Sequence, residues 1–165
     1  MTEPQSIARL NQLPADAWRA ALESVVAVAE WVEEVVSARP YPDRAALLDL
    51  AERSALALTG PQVRQALADH PRIGATTAPG SRAAREQSGV DAADAELAER
   101  LRDGNLAYER KFGHIYLVCA SGRSGYEMLA DLSQRLGNEP GDEILVTRRE
   151  LAAIARKRLE RMVVQ

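Results

Sequence analysis

His114-Ile115-Tyr116-Leu117-Val118-Cys119-Ala120 is the stretch on which the fold class turns. It is largely apolar and carries β-branched Ile115 and Val118, the local pattern of a buried strand. A strand needs a neighbour for its backbone N–H and C=O groups, and no other stretch of the chain offers one. The segment is therefore read as helix, and the fold class as all-α.

Moving outward, the flanking signals are helical on both sides. Upstream, Asp91 can cap a helix that carries Leu97, Leu101, Leu106 and Tyr108 to Phe112-Gly113, with Gly104 weakening its middle. Downstream, Ser124 and Glu127 form a capping box for a helix ending at Gly137. Gly141 or Asp142 then opens a last helix to Met162.

Near the other end, Trp18, Leu22, Val25, Val28, Ala29, Val32, Val35 and Val36 recur at three- and four-residue spacing. That pattern predicts one long helix, stopped before Arg39-Pro40-Tyr41-Pro42. Asp43 can cap a second helix to about Leu58, and after Thr59-Gly60-Pro61 a short third one reaches Asp69. Pro71 disfavours helical backbone at His70, so His70 should sit at the helix end. Residues 71–80 read as a loop and 81–88 as a short helix closed by Gly89. With no repeat or linker, residues 1–165 are expected to form a single-domain compact helical bundle of about seven to nine helices.

Composition narrows the class. A chain of 165 residues that is 46% hydrophobic and 27% charged carries neither the disorder signature nor a membrane signature. A net charge of -3 gives no general attraction to polyanions, so no nucleic-acid partner is expected despite Arg148, Arg149, Arg156, Lys157, Arg158 and Arg161 in the last helix. No apolar run reaches the roughly 20 residues of a membrane helix, so no membrane partner is expected either. Residues 1–6 lack a basic start and an apolar h-region, the chain closes on Met162-Val163-Val164-Gln165 rather than Ser-Lys-Leu, and Cys119 has no partner cysteine. A cytoplasmic location is the expectation.

Few residues suit chemistry. His70 and His114 stand without other ligands at metal spacing, so no metal site is expected. No P-loop, GxSxG or GxGxxG pattern occurs, and the lysines are Lys111 and Lys157 alone. What remains is acid–base chemistry. His70 at a helix end can titrate near neutrality, although a lone histidine is more often structural. Glu86-Gln87 sets a carboxylate beside an amide, able to orient an imidazole and bond a polar heterocycle, or simply to face solvent. Arg123 and Arg158 could each fork onto a carboxylate or ureido oxygen, or be surface charges.

The ordered segments Asn11-Gln12-Leu13, Trp31-Val32-Glu33-Glu34, Arg39-Pro40, His70-Pro71-Arg72-Ile73-Gly74 and Glu86-Gln87-Ser88-Gly89 carry more weight together. They continue with Asn105-Leu106-Ala107-Tyr108-Glu109-Arg110-Lys111-Phe112-Gly113, Gly122-Arg123-Ser124, Arg135-Leu136-Gly137-Asn138-Glu139 and Ile154-Ala155-Arg156-Lys157-Arg158-Leu159. Over nearly the whole chain this set resembles the 2-oxo-4-hydroxy-4-carboxy-5-ureidoimidazoline (OHCU) decarboxylase family. Two departures stand out: Ala83 where many members have serine, and His114-Ile115-Tyr116 in place of the usual Phe-Pro-Phe.

The resemblance implies a cofactor-free decarboxylation that releases (S)-allantoin in urate breakdown. Losing carbon dioxide leaves an electron pair that the adjacent C=N unit of the substrate can accept, so no external electron sink is required. The resemblance assigns His70 and Glu86 as the catalytic pair. It assigns Pro71, Ala83, Gln87, the backbone of Ile115, Tyr116, Leu117 and Val118, and Arg158 to the small-molecule substrate, with Arg123 a weaker candidate. It also implies a homodimer, which nothing in the residues themselves demands. Two alternatives stay open: a non-catalytic helical sensor of purine catabolites, and a decarboxylase of a related ureido or imidazoline acid. With no cofactor motif in the sequence, turnover of OHCU is expected to survive exhaustive dialysis against a metal chelator, and activity that returned only on adding a divalent ion would overturn that expectation.

Overall fold

Ser6 accepts a hydrogen bond from the Arg9 N–H and so caps α1 (Ile7–Gln12), the first of eight helices among the described residues. The computed structural model describes residues 4–68, 70–73 and 95–164. The other helices are α2 (Ala15–Glu23), α3 (Ala29–Ser37), α4 (Arg44–Leu56), α5 (Gly60–Leu67), α6 (Ala95–Phe112), α7 (Gly125–Arg135) and α8 (Pro140–Met162). The fold class is all-α. Two very short strands, β1 (Gln5–Ser6) and β2 (Val163–Val164), pair in parallel with Gln5 opposite Val163. Among the described residues no helix is long and apolar enough to cross a membrane. The expected loop 74–80, the short helix 81–88, Asp69 and the Asp91 cap lie outside the described residues.

Two compact units make up the chain, Met1–Ala66 with Leu151–Gln165, and Leu67–Glu150. In the first, α3 packs against both α2 and α4. The long helix expected from Trp18 to Val36 is two helices, because the chain breaks between Glu23 and Ala29. Val25 and Val26 both hydrogen-bond back to the Leu22 carbonyl, Val28 is extended, and all three valines are buried. On one continuous helix Val25 and Val28 would share a face while Val26 would point away from it, and β-branched side chains gain little from helical backbone. A turn lets every one of them reach the core.

Polar anchors fix this unit. Trp18 Nε1 donates to the Tyr41 hydroxyl at 3.0 Å, and that hydroxyl donates to the Val35 carbonyl. Asn11 bonds both backbone groups of Tyr41, at 2.9 and 2.8 Å, and Trp31 Nε1 reaches the Ala51 carbonyl at 3.0 Å. Asp43 caps α4 as expected, through the Ala46 N–H at 2.8 Å. Several residues of the ordered segments, Asn11, Trp31 and Arg39 among them, therefore serve packing here.

The second unit is organised around a hydrophobic cluster that includes Ile73, Leu97, Leu101, Tyr108, Phe112, Tyr116, Val118, Met128 and Leu132. Helices α6 and α7 pack closely, and a Cβ on Gly104 would lie 2.6 Å from Leu132 Cδ2. Gly104, read from sequence as a weakness in the helix, is what permits that approach. The capping box of Ser124 and Glu127 forms on α7 as expected.

His114–Ala120 is neither helix nor paired strand, a correction to the helical reading. Side chains replace part of the missing strand partner. Arg135 Nη1 donates to the Leu117 carbonyl at 2.8 Å, Glu150 accepts the Cys119 N–H at 2.7 Å, and the Tyr116 hydroxyl bonds Asp131 at 2.5 Å. Arg135 and Glu143 form an ion pair with 4% and 0% of their side chains exposed, at 2.6 Å. Glu143 also takes the Tyr108 hydroxyl and the Asn138 amide. Burial, the largest single influence, acts to lower the Arg135 pKa, but the hydrogen bond to Glu143 and the Coulombic attraction of its surroundings together outweigh it and keep it raised, so the guanidinium stays charged. Burial and these hydrogen bonds push the Tyr108 and Tyr116 phenols up, so both remain neutral donors. Removing one partner of such a pair strands the other, so Arg135→Met is expected to lower stability by about 3–5 kcal/mol in urea unfolding; a change below about 1 kcal/mol would mean that solvent already screens the pair.

Candidate functional site

The chain leaves α5 at Leu67, and Pro71 keeps it from continuing as helix. His70 accordingly sits just past the helix end, where its N–H bonds the Leu67 carbonyl at 3.1 Å. The residue is half-buried and its ring Nε2 is buried. Pro71 and Arg72 are exposed, whereas Ile73 returns to the hydrophobic cluster. An exposed pair between a half-buried histidine and a core isoleucine makes this a short strap, attached at both ends.

Helix α6 holds that strap. Asn105 Nδ2 donates to the Ile73 carbonyl at 3.0 Å, and one turn further on Glu109 receives the Arg72 guanidinium through both oxygens. The hydrogen bonds from Arg72 keep the Glu109 carboxyl below the usual carboxylate range. Sequence reading assigned neither residue a role. Their four-residue spacing marks one helix face, but what that face holds lies more than thirty positions away in the chain.

Ile115–Val118 belongs to the same unit. Tyr116 and Val118 share the hydrophobic cluster with Ile73, which ties this segment to the strap. The N–H groups of residues 115–118 donate no hydrogen bond among the described residues, while the Leu117 carbonyl is held by Arg135 and the Ile115 carbonyl by His114 Nδ1 at 3.0 Å. Four backbone donors in a stretch this buried are suited to a ligand with several acceptor oxygens.

The unusual aromatic residues are accommodated. The His114 ring meets Tyr108 edge-on with centroids 5.5 Å apart, and Tyr116 meets Tyr108 in the same way at 5.6 Å. Ring packing is thus kept at both positions, and His114 Nδ1 and the Tyr116 hydroxyl have hydrogen-bond partners.

Glu86, Gln87 and Ala83 lie outside the described residues. Arg158 belongs to the other unit, is 8% exposed, and donates to the Val25 carbonyl at 2.8 Å. Arg123 lies 3.5 Å from Glu150 and 3.7 Å from Asp131, so its charge already faces two protein carboxylates. Among the described residues no three His, Cys, Asp or Glu side chains converge as metal ligands.

Residues 11–160 match the family model described as OHCU decarboxylase. The chain is similar to the uric acid degradation bifunctional protein TTL of Arabidopsis thaliana, at 34% identity over 59% of this chain and 32% of that protein. It is also similar to the 2-oxo-4-hydroxy-4-carboxy-5-ureidoimidazoline decarboxylase of Amia calva, at 36% identity over 54% of this chain and 51% of that one. The chain thus matches about a third and about half of the lengths of these curated relatives. Among solved structures it resembles an OHCU decarboxylase crystallised in the presence of (S)-allantoin, with a TM-score of 0.71, 27% identity, and coverage of 83% of this chain and 92% of that one. An (S)-allantoin synthase, at 20% identity, shares the fold with a TM-score of 0.74, over 98% of this chain and 54% of its own.

Because Arg158 satisfies a backbone carbonyl in the core, it has a structural role whatever it binds. Arg158→Ala is expected to cost about 1–3 kcal/mol of stability, the range for stranding a buried acceptor, and urea titration would read it. Unchanged stability would show that water replaces the guanidinium at Val25.

Proposed function

The chain belongs to the OHCU decarboxylase family, its match to the family model running from residue 11 to residue 160, and from that premise we propose that it converts OHCU to (S)-allantoin and carbon dioxide. The observation that carries the reading is the position of His70. It sits past a helix end with a buried ring nitrogen, on a strap whose next core residue packs with the segment 115–118.

The chemistry needs three things of the protein. The carboxylate must be oriented so that its C–C bond breaks with the electron pair flowing into the neighbouring C=N. The hydroxyl must be polarised, since its carbon becomes a carbonyl of the product as that proton leaves. One proton must then reach a single face of the ureido-bearing carbon, so that one enantiomer forms.

In this reading His70 is the acid–base group beside the hydroxyl, and Glu86 shares its hydrogen-bond network and fixes the reactive tautomer. Gln87, Ala83, Pro71 and the backbone of Ile115, Tyr116, Leu117 and Val118 hold the ring and ureido group. The four N–H groups without partners among the described residues support that part of the assignment. Arg158 meets the substrate's negative charge. The reaction uses no cofactor and the protein binds no nucleic acid. Residues 1–165 act as one OHCU decarboxylase-like domain, in a homodimer in the cytoplasm.

The test generates OHCU in place from urate with urate oxidase and hydroxyisourate hydrolase, and follows allantoin by optical rotation. Spontaneous decay gives the racemate, so enantiomeric excess reports the enzyme. His70→Asn keeps the size and one hydrogen bond, and is expected to lower kcat by roughly 10²- to 10⁴-fold, the usual weight of an acid–base group, with the product drifting towards racemic. A variant with wild-type melting temperature and full stereospecific turnover would remove His70 from the mechanism.

A further inference from the structure

On α6, Asn105 and Glu109 occupy one face a single turn apart, and both end on the strap that follows His70. Asn105 Nδ2 makes two bonds, to the Ile73 carbonyl at 3.0 Å and to the Leu101 carbonyl of its own helix at 2.8 Å. These fix the amide's orientation, since a flip would forfeit both donors. The other amide atom, Oδ1, is buried and takes no hydrogen bond among the described residues, although the residue is 2% exposed. A buried acceptor without a partner opposes stability. An apolar side chain at 105 would avoid that cost but would take the donor from the buried Ile73 carbonyl. The amide thus gives that carbonyl a fixed location.

Glu109 adds a second, directional hold. Arg72 meets it through Nε and Nη2, a two-pronged geometry that restricts rotation as well as distance. Arg72 is 57% exposed, so the ion pair contributes little stability, but the fork defines where the strap's backbone lies. At the other end His70 is held by its N–H bond to Leu67. Between those two attachments only Pro71 intervenes, and its φ is fixed by the ring. The freedom left to the His70 backbone is small.

We propose that Asn105 and Glu109 are positioning residues for His70, fixing the strap 71–73 so that the imidazole stays in register with the reacting carbon. The proposal rests on the reading of His70 as the acid–base group. It assigns a function to the Asn-x-x-x-Glu spacing inside the ordered segment 105–113, which the chemistry of the site left unused.

The test compares Glu109→Gln, Asn105→Leu and the charge-exchanged double variant Arg72→Glu/Glu109→Arg with wild type and with His70→Asn. Each is assayed on OHCU generated in place, for kcat, KM, enantiomeric excess and melting temperature. If the clamp positions His70, Glu109→Gln and Asn105→Leu lower kcat by about 10- to 100-fold, the scale of a 1 Å displacement. KM should stay within about twofold, and enantiomeric excess should fall. Combining either with His70→Asn should then cost little more than His70→Asn alone, because a displaced group that is already absent cannot be displaced further. The exchanged pair should recover part of the lost kcat.

A melting temperature that falls while kcat and enantiomeric excess per folded molecule stay at wild type would overturn the clamp and leave a packing role. Because Asn105→Leu alters the core, Glu109→Gln at the surface keeps the proposal testable if the first variant fails to fold. Should His70→Asn itself keep full stereospecific turnover, the reading beneath the proposal falls. Should His70→Asn lose turnover while the clamp variants do not, the clamp alone falls.

Discussion

A guanidinium enclosed in the interior sets the terms for the unit formed by residues 67–150. Taking a charge out of water costs several kcal/mol unless every donor finds an acceptor. Arg135 meets that demand with Glu143, Asp131, Thr147 and the Leu117 carbonyl, and its Cζ also lies 4.8 Å from the Tyr116 ring centroid. Satisfying one residue thereby joins the end of α7, the first turns of α8 and the irregular segment 114–120. Without that carbonyl acceptor and the bond from Cys119 to Glu150, the segment would need a neighbouring strand, and none is available among the described residues. Among the described residues the lack of a partner strand and the irregular course of 114–120 therefore go together.

Helix ends with side-chain caps were legible in the sequence, because a cap is local. Asp43, the Ser124 and Glu127 box and the stop at Phe112-Gly113 all depend on residues within a turn or two. Two elements were not legible. The break between α2 and α3 depends on where three valines find space, and the apolar spacing on either side fits a continuous stripe equally well. The segment 114–120 has the composition of a strand and the isolation of something else. Its backbone partners stand 18 and 31 positions away, so no window of sequence contains both halves of the interaction.

The site was legible unevenly for the same reason. Pro71 announces that His70 ends a helix, which is local stereochemistry, while the role proposed for it rests on the ordered motifs. Arg158 reads as one charge among several in the last helix, and nothing nearby in sequence indicates that it is buried or that it caps the Val25 carbonyl. Asn105 and Glu109 sit in a motif that is easy to see, yet the amide and the carboxylate act on residues 32 and 37 positions earlier. The departures at His114 and Tyr116 look disruptive as a string. In space both rings meet Tyr108, and His114 Nδ1 and the Tyr116 hydroxyl have hydrogen-bond partners.

Gly104 carries one more implication. A helix interior ordinarily favours alanine over glycine by about 1 kcal/mol, but here the methyl group would collide with Leu132. The two positions are therefore coupled. Any side chain larger than hydrogen at 104 requires a smaller or re-angled residue at 132, and a smaller residue at 132 with glycine kept leaves a void. A change at either position is thus weighed by what the other side chain can do. Local helix preference and tertiary packing pull in opposite directions at 104, which makes the effect of a substitution there depend on the residue at 132.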